Sequence, residues 1–278
     1  MKLTGGKTPV THISNAAGLG FYSFETFDFD SSALEKIGCD RKTLPRVTAE
    51  PEVIGTDSDG IPVTVAVGDN QASFLGAVTN KESVLVNIGT GSQVSVITDK
   101  KIGFAAGEIR PFSKTENLLV GAPLCGGRSY ALLKSFFEKT LDCFGVTSGD
   151  IYSVMDKMAA EDIDNCSLSV DTRFCGTRRE PDIKGTILQI TEDNFTPQQL
   201  TRGFLIGMCR ELYAFYEQME KLTGKKSTHL MGSGNGVRKN KILQHYLEET
   251  FKMPDQRRNF EKAFYYSSSS AISLPSDV

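Results

Sequence analysis

No apolar run in this chain of 278 residues approaches the roughly 20 residues a helix needs to cross a bilayer. The longest, such as Ser83–Ile88 and Phe204–Cys209, are far shorter. The opening MKLTGGKTPV lacks the apolar core of a secretory signal, so a cytoplasmic protein without membrane partners is expected. Charge of one sign is also missing. Lys plus Arg number 31 against 34 Asp plus Glu, a formal balance of −3, which argues against the basic footprint that nucleic acid requires. Cysteines are few and scattered, at Cys39, Cys125, Cys143, Cys166, Cys175 and Cys209. With no CxxC pair, neither a zinc ribbon nor a thioredoxin-type site is indicated, and reduced, mostly buried thiols are expected. Three histidines are too few and too scattered for a metal cluster, and no metal-ligating residues are assigned. Only 10 prolines stand beside 26 glycines, 39% hydrophobic and 23% charged residues, which excludes collagen-like and disordered chains. What remains is an ordinary globular composition, long enough for two domains or one large α/β unit.

Segments of two periods alternate, and no repeat in the roughly 20–50-residue range suggests a solenoid. Ile61–Val67 (IPVTVAV), bounded by Gly60 and Gly68, reads as a buried strand. Ser83–Ile88 and Gln93–Thr98, separated by a short glycine-bearing turn, read as a hairpin. Arg128–Leu141 places apolar residues at 132, 133, 136, 137 and 141, one face of a helix. Thr196, Pro197 and Gln199 announce a further helix by N-cap, first-turn proline and capping-box partner. Its apolar spacing then runs from Leu200 to Leu222, with Gly224 as terminator. Thr228–Met231 reads as a short strand, GSGNG as a loop, and Val237–Phe251 as an amphipathic helix. The low-complexity ending and the lack of a strand system before TGGKTP suggest a piece of a larger protein.

Three stretches carry chemistry. In VAVGDNQAS a carboxylate, Asp69, follows a strand end, with Asn70 and Gln71 behind it. Ligands collect at such ends of α/β sheets, and a carboxylate there serves as a general base; equally, Asp69 could cap a helix starting near Asn70. In NIGTGSQ, the residues Gly89, Thr90, Gly91 and Ser92 offer backbone N–H groups and two hydroxyls to an anionic phosphate, or form a plain hairpin turn. In MGSGNGVRKN, a dinucleotide fingerprint fails, because its third glycine would fall on Val237. Gly232, Ser233, Gly234 and Asn235 could still receive a planar base, or be an ordinary strand-to-helix turn.

In this order, GDNQAS, VLVNIGTGSQVSV and MGSGNG resemble the FGGY family of carbohydrate kinases, supported by SNAAGLGFYSF, LPRV and FCGTRREP. The resemblance runs from about Lys2 to about Pro254 and implies the α/β actin/hexokinase/Hsp70-like ATPase fold, with part of the first domain (1–78), most of the second (79–254) and an aberrant tail (255–278). It implies Asp69 as general base, Asn70 and Gln71 toward a sugar, and Gly89, Thr90, Gly91 and Ser92 on phosphate. Gly232, Ser233, Gly234 and Asn235 would face adenosine, and Gly126 and Gly127, in APLCGGRSY, would line the nucleotide cleft. The implied cofactors are ATP and Mg²⁺, and the implied reaction is phosphorylation of a ketose hydroxyl, sedoheptulose first and a pentulose next. The acidic-glycine-threonine phosphate loop with which that family begins, and which helps hold Mg²⁺, has no counterpart here. The chain alone is therefore expected to be inactive. A non-catalytic remnant or mis-assembled gene product that at most binds nucleotide is the alternative, and an actin-like switching ATPase a third reading.

Overall fold

Short polar side chains fold the chain locally: the Asp57 carboxylate accepts from the N–H groups of Asp59 and Ile61, at 2.9 and 2.8 Å, and so closes a tight turn over DSDG. A computed structural model describes residues 2–6, 8–78, 80–147 and 149–253, and the tail 255–278 lies outside the described residues. Contacts divide the chain into one unit of residues 1–75 with 97–119 and another of 76–96 with 120–278.

In the first unit, β1 (Val10–His12) enters a short helix α1 (Ile13–Ala16). The pair β2 (Tyr22–Ser23) and β3 (Asp28–Phe29) and helix α2 (Ser31–Lys36) follow, the last capped by Asp30 on two N–H groups. β4 (Arg46–Thr48) then returns parallel to β1, with Val10 opposite Arg46. Ala16, Phe29 and Leu34 make the small core beneath them. Next come β5 (Val53–Thr56) and β6 (Pro62–Thr64), an antiparallel pair leading to helix α3 (Asp69–Ala77). The strand expected over Ile61–Val67 is therefore only three residues long. Beyond Thr64 the Val65 N–H still bonds the Glu52 carbonyl at 2.9 Å, and the Ala66 carbonyl accepts from the Asn15 side-chain amide at 2.7 Å.

The hairpin read from sequence is present as β7 (Ser83–Ile88) and β8 (Ser92–Thr98), with Val86 opposite Val94. β9 (Glu108–Pro111) and β10 (Asn117–Gly121) come next, then helices α4 (Gly127–Cys143) and α5 (Ile151–Ala160). A two-stranded ribbon of β11 (Ser169–Asp171) and β12 (Thr186–Leu188) precedes the long helix α6 (Pro197–Thr223). The chain continues through β13 (His229–Ser233), α7 (Gly234–Lys239) and α8 (Lys241–Phe251). Strand order in the main sheet is β13-β7-β8-β10-β9, with β13 parallel and β8 antiparallel to β7. Strands β8 and β10 each contribute residues to both units, which change over after Val96 and Leu119.

Helix α6 follows its sequence signals. Thr196 accepts from the Gln199 N–H, Pro197 opens the first turn, and Gly224 closes the helix in the left-handed conformation at φ 65°. Leu200, Phe204, Leu205, Met208, Leu212 and Met219 are buried as their spacing requires. The capping box is not completed, however. The Gln199 amide instead bonds the backbone of Ser167 and Asn165, at 3.0 and 3.2 Å, and ties the loop ahead of β11 to α6. The helix expected over Val237–Phe251 is two helices, because Asn240 leaves the helical region (φ −112°, ψ 101°) to cap the second one. The thiols are also less hidden than expected. Only Cys125 and Cys209 are buried, while Cys143 and Cys175 are exposed.

Candidate functional site

The candidate base sits in the first unit on a turn held by a relay of small polar groups. The N–H of Gly68 donates to Ser14 Oγ at 2.8 Å. The Ser14 hydroxyl in turn faces His12 Nδ1 at 2.7 Å, and His12 Nε2 faces the carbonyl of Ala49 at 3.2 Å. Asp69 opens α3 with its carboxylate exposed, and one oxygen, Oδ1, accepts from the N–H and the side-chain amide of Asn70 at 2.7 and 2.9 Å. Asp69 therefore stands in the first turn of α3 while keeping an accessible carboxylate, so the helix-start and ligand-facing readings are compatible. Gln71 differs from its expected place facing a sugar. Only 1% of it is exposed, and its amide donates to the Pro111 carbonyl at 2.9 Å. That bond anchors α3 within the first unit and leaves the Gln71 side chain no open face.

In the second unit, three turns meet. The loop between β7 and β8, the start of α4 and the junction of β13 with α7 are packed so closely that a side chain is excluded at Gly127 and Gly234. A Cβ on Gly127 would lie 1.9 Å from the Gly89 carbonyl oxygen, and one on Gly234, at φ 88°, would lie 2.4 Å from that of Ile88. The N–H of Arg128 bonds the Thr90 carbonyl at 3.1 Å, fixing α4 to the hairpin turn. Outward from this junction opens a cavity of about 950 Å³ lined by Gly89, Thr90, Gly127, Asn235 and Gly236 together with residues of α5 and α8. The first turn of α4, a helix of 17 residues, borders it and contributes the positive end of a helix dipole.

Of the expected nucleotide residues, Gly89, Thr90, Gly127 and Asn235 line the cavity. Gly126 is buried against Gly91 and Ser92, and none of these three is among the residues that line the cavity. Gly232 and Ser233 belong to β13, opposite Val86 and Asn87, and not to a loop. Gly234 packs on the end of β7. The glycine loop expected at GSGNG is thus almost absent, since strand gives way directly to helix.

Several lining residues escaped the sequence reading. Arg128, Lys157, Lys239 and Lys241 outnumber Asp150 and Asp156 around the cavity, a local positive balance hidden by the net charge of −3. At its inner side the Asp156 carboxylate accepts from the Tyr130 hydroxyl at 2.9 Å and from the Asn240 amide at 2.7 Å. Burial pushes the Asp156 carboxyl above its ordinary pKa, which the Tyr130 bond partly offsets. Tyr130 stacks on Tyr152 with ring centroids 5.8 Å apart, giving the cavity an aromatic flank. Arg128 and Tyr130 follow Gly127 in APLCGGRSY, and Lys239 and Asn240 close MGSGNGVRKN, but in both stretches the sequence reading rests on the glycines, Ser233 and Asn235, and only the fold brings these side chains to Asp150, Tyr152, Asp156, Lys157 and Lys241. Among the described residues no helix is long and apolar enough to cross a membrane.

No family model matches the chain. It is homologous to the sedoheptulokinase of Mus musculus, with 24% identity over 270 residues, 91% of this chain and 56% of that protein. The solved xylulose kinase from Lactobacillus acidophilus superposes with a TM-score of 0.72 at 21% identity, over 96% of this chain and 56% of that one. Plasmodium falciparum glycerol kinase, solved with ADP, gives 0.74 at 16% identity over 94% and 54%. The chain therefore has the actin/hexokinase-like α/β fold of these sugar kinases, and it spans about half the length of the curated relatives it matches.

Proposed function

We propose that this chain carries the nucleotide-binding part and the catalytic base of an ATP-dependent carbohydrate kinase, which transfers a phosphoryl group to a ketose hydroxyl. Sedoheptulose is the first substrate to try and a pentulose the next. The observation that carries the reading is the convergence of the Gly89–Thr90, Gly127 and Asn235–Gly236 turns on one cavity with a positive rim. Phosphoryl transfer is catalysed mainly by positioning and charge stabilisation, and these turns offer backbone groups at close range with four cationic side chains around them. The adenine would lie toward the Tyr130–Tyr152 flank.

Asp69 would take the proton of the attacking hydroxyl on the carboxylate oxygen, Oδ2, that Asn70 does not hold. Mg²⁺ would arrive with the triphosphate and neutralise its charge. Among the described residues no group of three or more His, Cys, Asp or Glu is placed to hold a metal ion. Because the acidic phosphate loop assigned to Mg²⁺ by family resemblance has no counterpart in the sequence, the chain alone binds nucleotide without sugar-dependent turnover.

Titration of the 278-residue chain with ATP by calorimetry, and ADP release with sedoheptulose, xylulose or glycerol, test both halves. Saturable ATP binding with no sugar-dependent ADP is expected; absence of ATP binding would refute the nucleotide site, and turnover at ordinary kinase rates the inactivity. In a protein that also includes the segments its relatives possess, Asp69→Asn should lower kcat roughly a hundredfold with ATP affinity unchanged, the scale of a lost general base. Full turnover in that variant would leave Asp69 as a helix-start residue.

A further inference from the structure

Two thiols distant in sequence face one another beside the cavity. Cys175 Sγ lies 3.6 Å from Cys125 Sγ across a separation of 50 residues. Cys175 is exposed and Cys125 is buried. Each is carried by a constrained turn. Cys175 precedes Gly176, whose N–H bonds the Arg173 carbonyl at 2.9 Å and whose own φ is +69°. Cys125 precedes Gly126 and Gly127, and its carbonyl accepts from the Arg128 N–H at 3.0 Å as α4 begins. The other partly buried thiols turn to oxygens instead, Cys39 toward Thr43 and Cys166 toward the Leu168 carbonyl.

We propose that Cys125 and Cys175 form a peroxide-sensitive dithiol, in which exposed Cys175 is oxidised first and buried Cys125 closes a reversible disulfide across the base of α4. In the first step the Cys175 thiolate attacks a hydroperoxide, the O–O bond breaks, and Cys175 sulfenic acid and an alcohol (water, from hydrogen peroxide) are released. In the second, Cys125 sulfur attacks the Cys175 sulfur. The S–O bond breaks, the S–S bond forms, and the hydroxyl leaves as water with the Cys125 proton. Two thiols are oxidised and one hydroperoxide is reduced.

The division of labour follows from exposure. Burial pushes the Cys125 thiol up, and the nearby Cys175 and Glu211 reinforce this against a hydrogen bond to Ser129. Cys125 thus stays protonated and unreactive until a sulfenic acid appears beside it. Closing the gap to an S–S bond of about 2.05 Å asks for a movement of roughly 1.5 Å, which rotation of the exposed Cys175 side chain can supply. Cys143 is also exposed, but among the described residues no second thiol is placed against it, so its oxidation has no intramolecular outlet. The bond would tie the turn at Arg173–Gly176 to the residue immediately ahead of Gly126 and Gly127, where α4 begins. The inference concerns thiol chemistry and holds whatever ligand the cavity takes.

The full chain would be treated with equimolar hydrogen peroxide, its remaining thiols capped with N-ethylmaleimide, and the unreduced digest mapped by mass spectrometry. The expected result is loss of two of the six thiols and a Cys125–Cys175 crosslinked peptide that disappears with dithiothreitol. Cys143→Ser should leave that peptide unchanged, and Cys175→Ser, an exposed and conservative change, should abolish it. Oxidation of Cys175 to the sulfinic acid without a crosslink, or a crosslink that survives Cys175→Ser, would overturn the proposal.

Discussion

His12 illustrates how one side chain can position a turn it never enters. The distances from Gly68 through Ser14 to His12 and Ala49 close only with His12 neutral and its proton on Nε2, so that Nδ1 accepts from Ser14. Burial lowers the His12 pKa below its ordinary 6.5, partly offset by the Ala49 carbonyl and by Glu50. The sign follows. Below 6.5 the unfolded chain binds a proton that the native state resists, so stability falls as pH drops through the window beneath 6.5 and is fully present above it. The urea midpoint of the native protein should therefore decline between pH 7 and pH 5 more steeply than that of His12→Asn. Equal slopes would remove His12 from the relay. Ser14→Ala, which takes the acceptor from the buried Gly68 N–H, should cost about 1–3 kcal/mol by urea denaturation.

At the scale of elements, Asn240 separates two helices that the sequence reads as one. Its side-chain oxygen caps the Leu243 N–H at 2.8 Å, and its amide donates to Asp156 at 2.7 Å. Removing the cap alone costs about 1 kcal/mol, and Asp156 loses a donor where its carboxylate is already disfavoured by burial. Asn240→Ala should accordingly lower stability by roughly 1–2 kcal/mol, while Asn240→Asp, which keeps the cap but not the donor and sets a second carboxylate against Asp156, should not rescue it. A variant within error of the native protein in thermal denaturation would show that α8 is held by packing alone. The break escaped the sequence reading because Ile242, Leu243, Tyr246, Leu247 and Phe251 carry the helical period by themselves, while Val237, buried but six residues before Leu243, does not extend it. Helix α6 was legible for the opposite reason: Thr196, Pro197 and Gly224 act on the backbone within a few residues, and local chemistry needs no tertiary partner.

For the molecule as a whole, the nucleotide reading has a thermodynamic consequence. A ligand that binds only the folded state raises stability by about 2.7 kcal/mol at a hundredfold excess over Kd. Saturating ATP should raise the melting temperature. It should also slow amide exchange around Gly89, Gly127 and Gly236, which line the cavity, more than around Gly68 in the first unit. A melting temperature unchanged by ATP would remove the ligand from the cavity.

The sequence by itself determined the elements whose causes are short-range. The β7–β8 hairpin came from two β-rich runs around a glycine turn, and α6 from its caps and its period. The order of GDNQAS, GTGS and GSGNG pointed to the kinase fold by resemblance, and within GSGNG the close backbone approach at Gly234, whose Cβ would lie 2.4 Å from the Ile88 carbonyl oxygen, calls for glycine. Tertiary structure alone decided which of those residues face open space. It buried Gln71, absorbed Gly232 and Ser233 into a strand, and packed Gly126 against Gly91 and Ser92. It also gathered Arg128, Lys157, Lys239 and Lys241 around one cavity and set Cys125 against Cys175. Such gatherings arise from packing between distant elements, and neither period nor spacing along the chain encodes them.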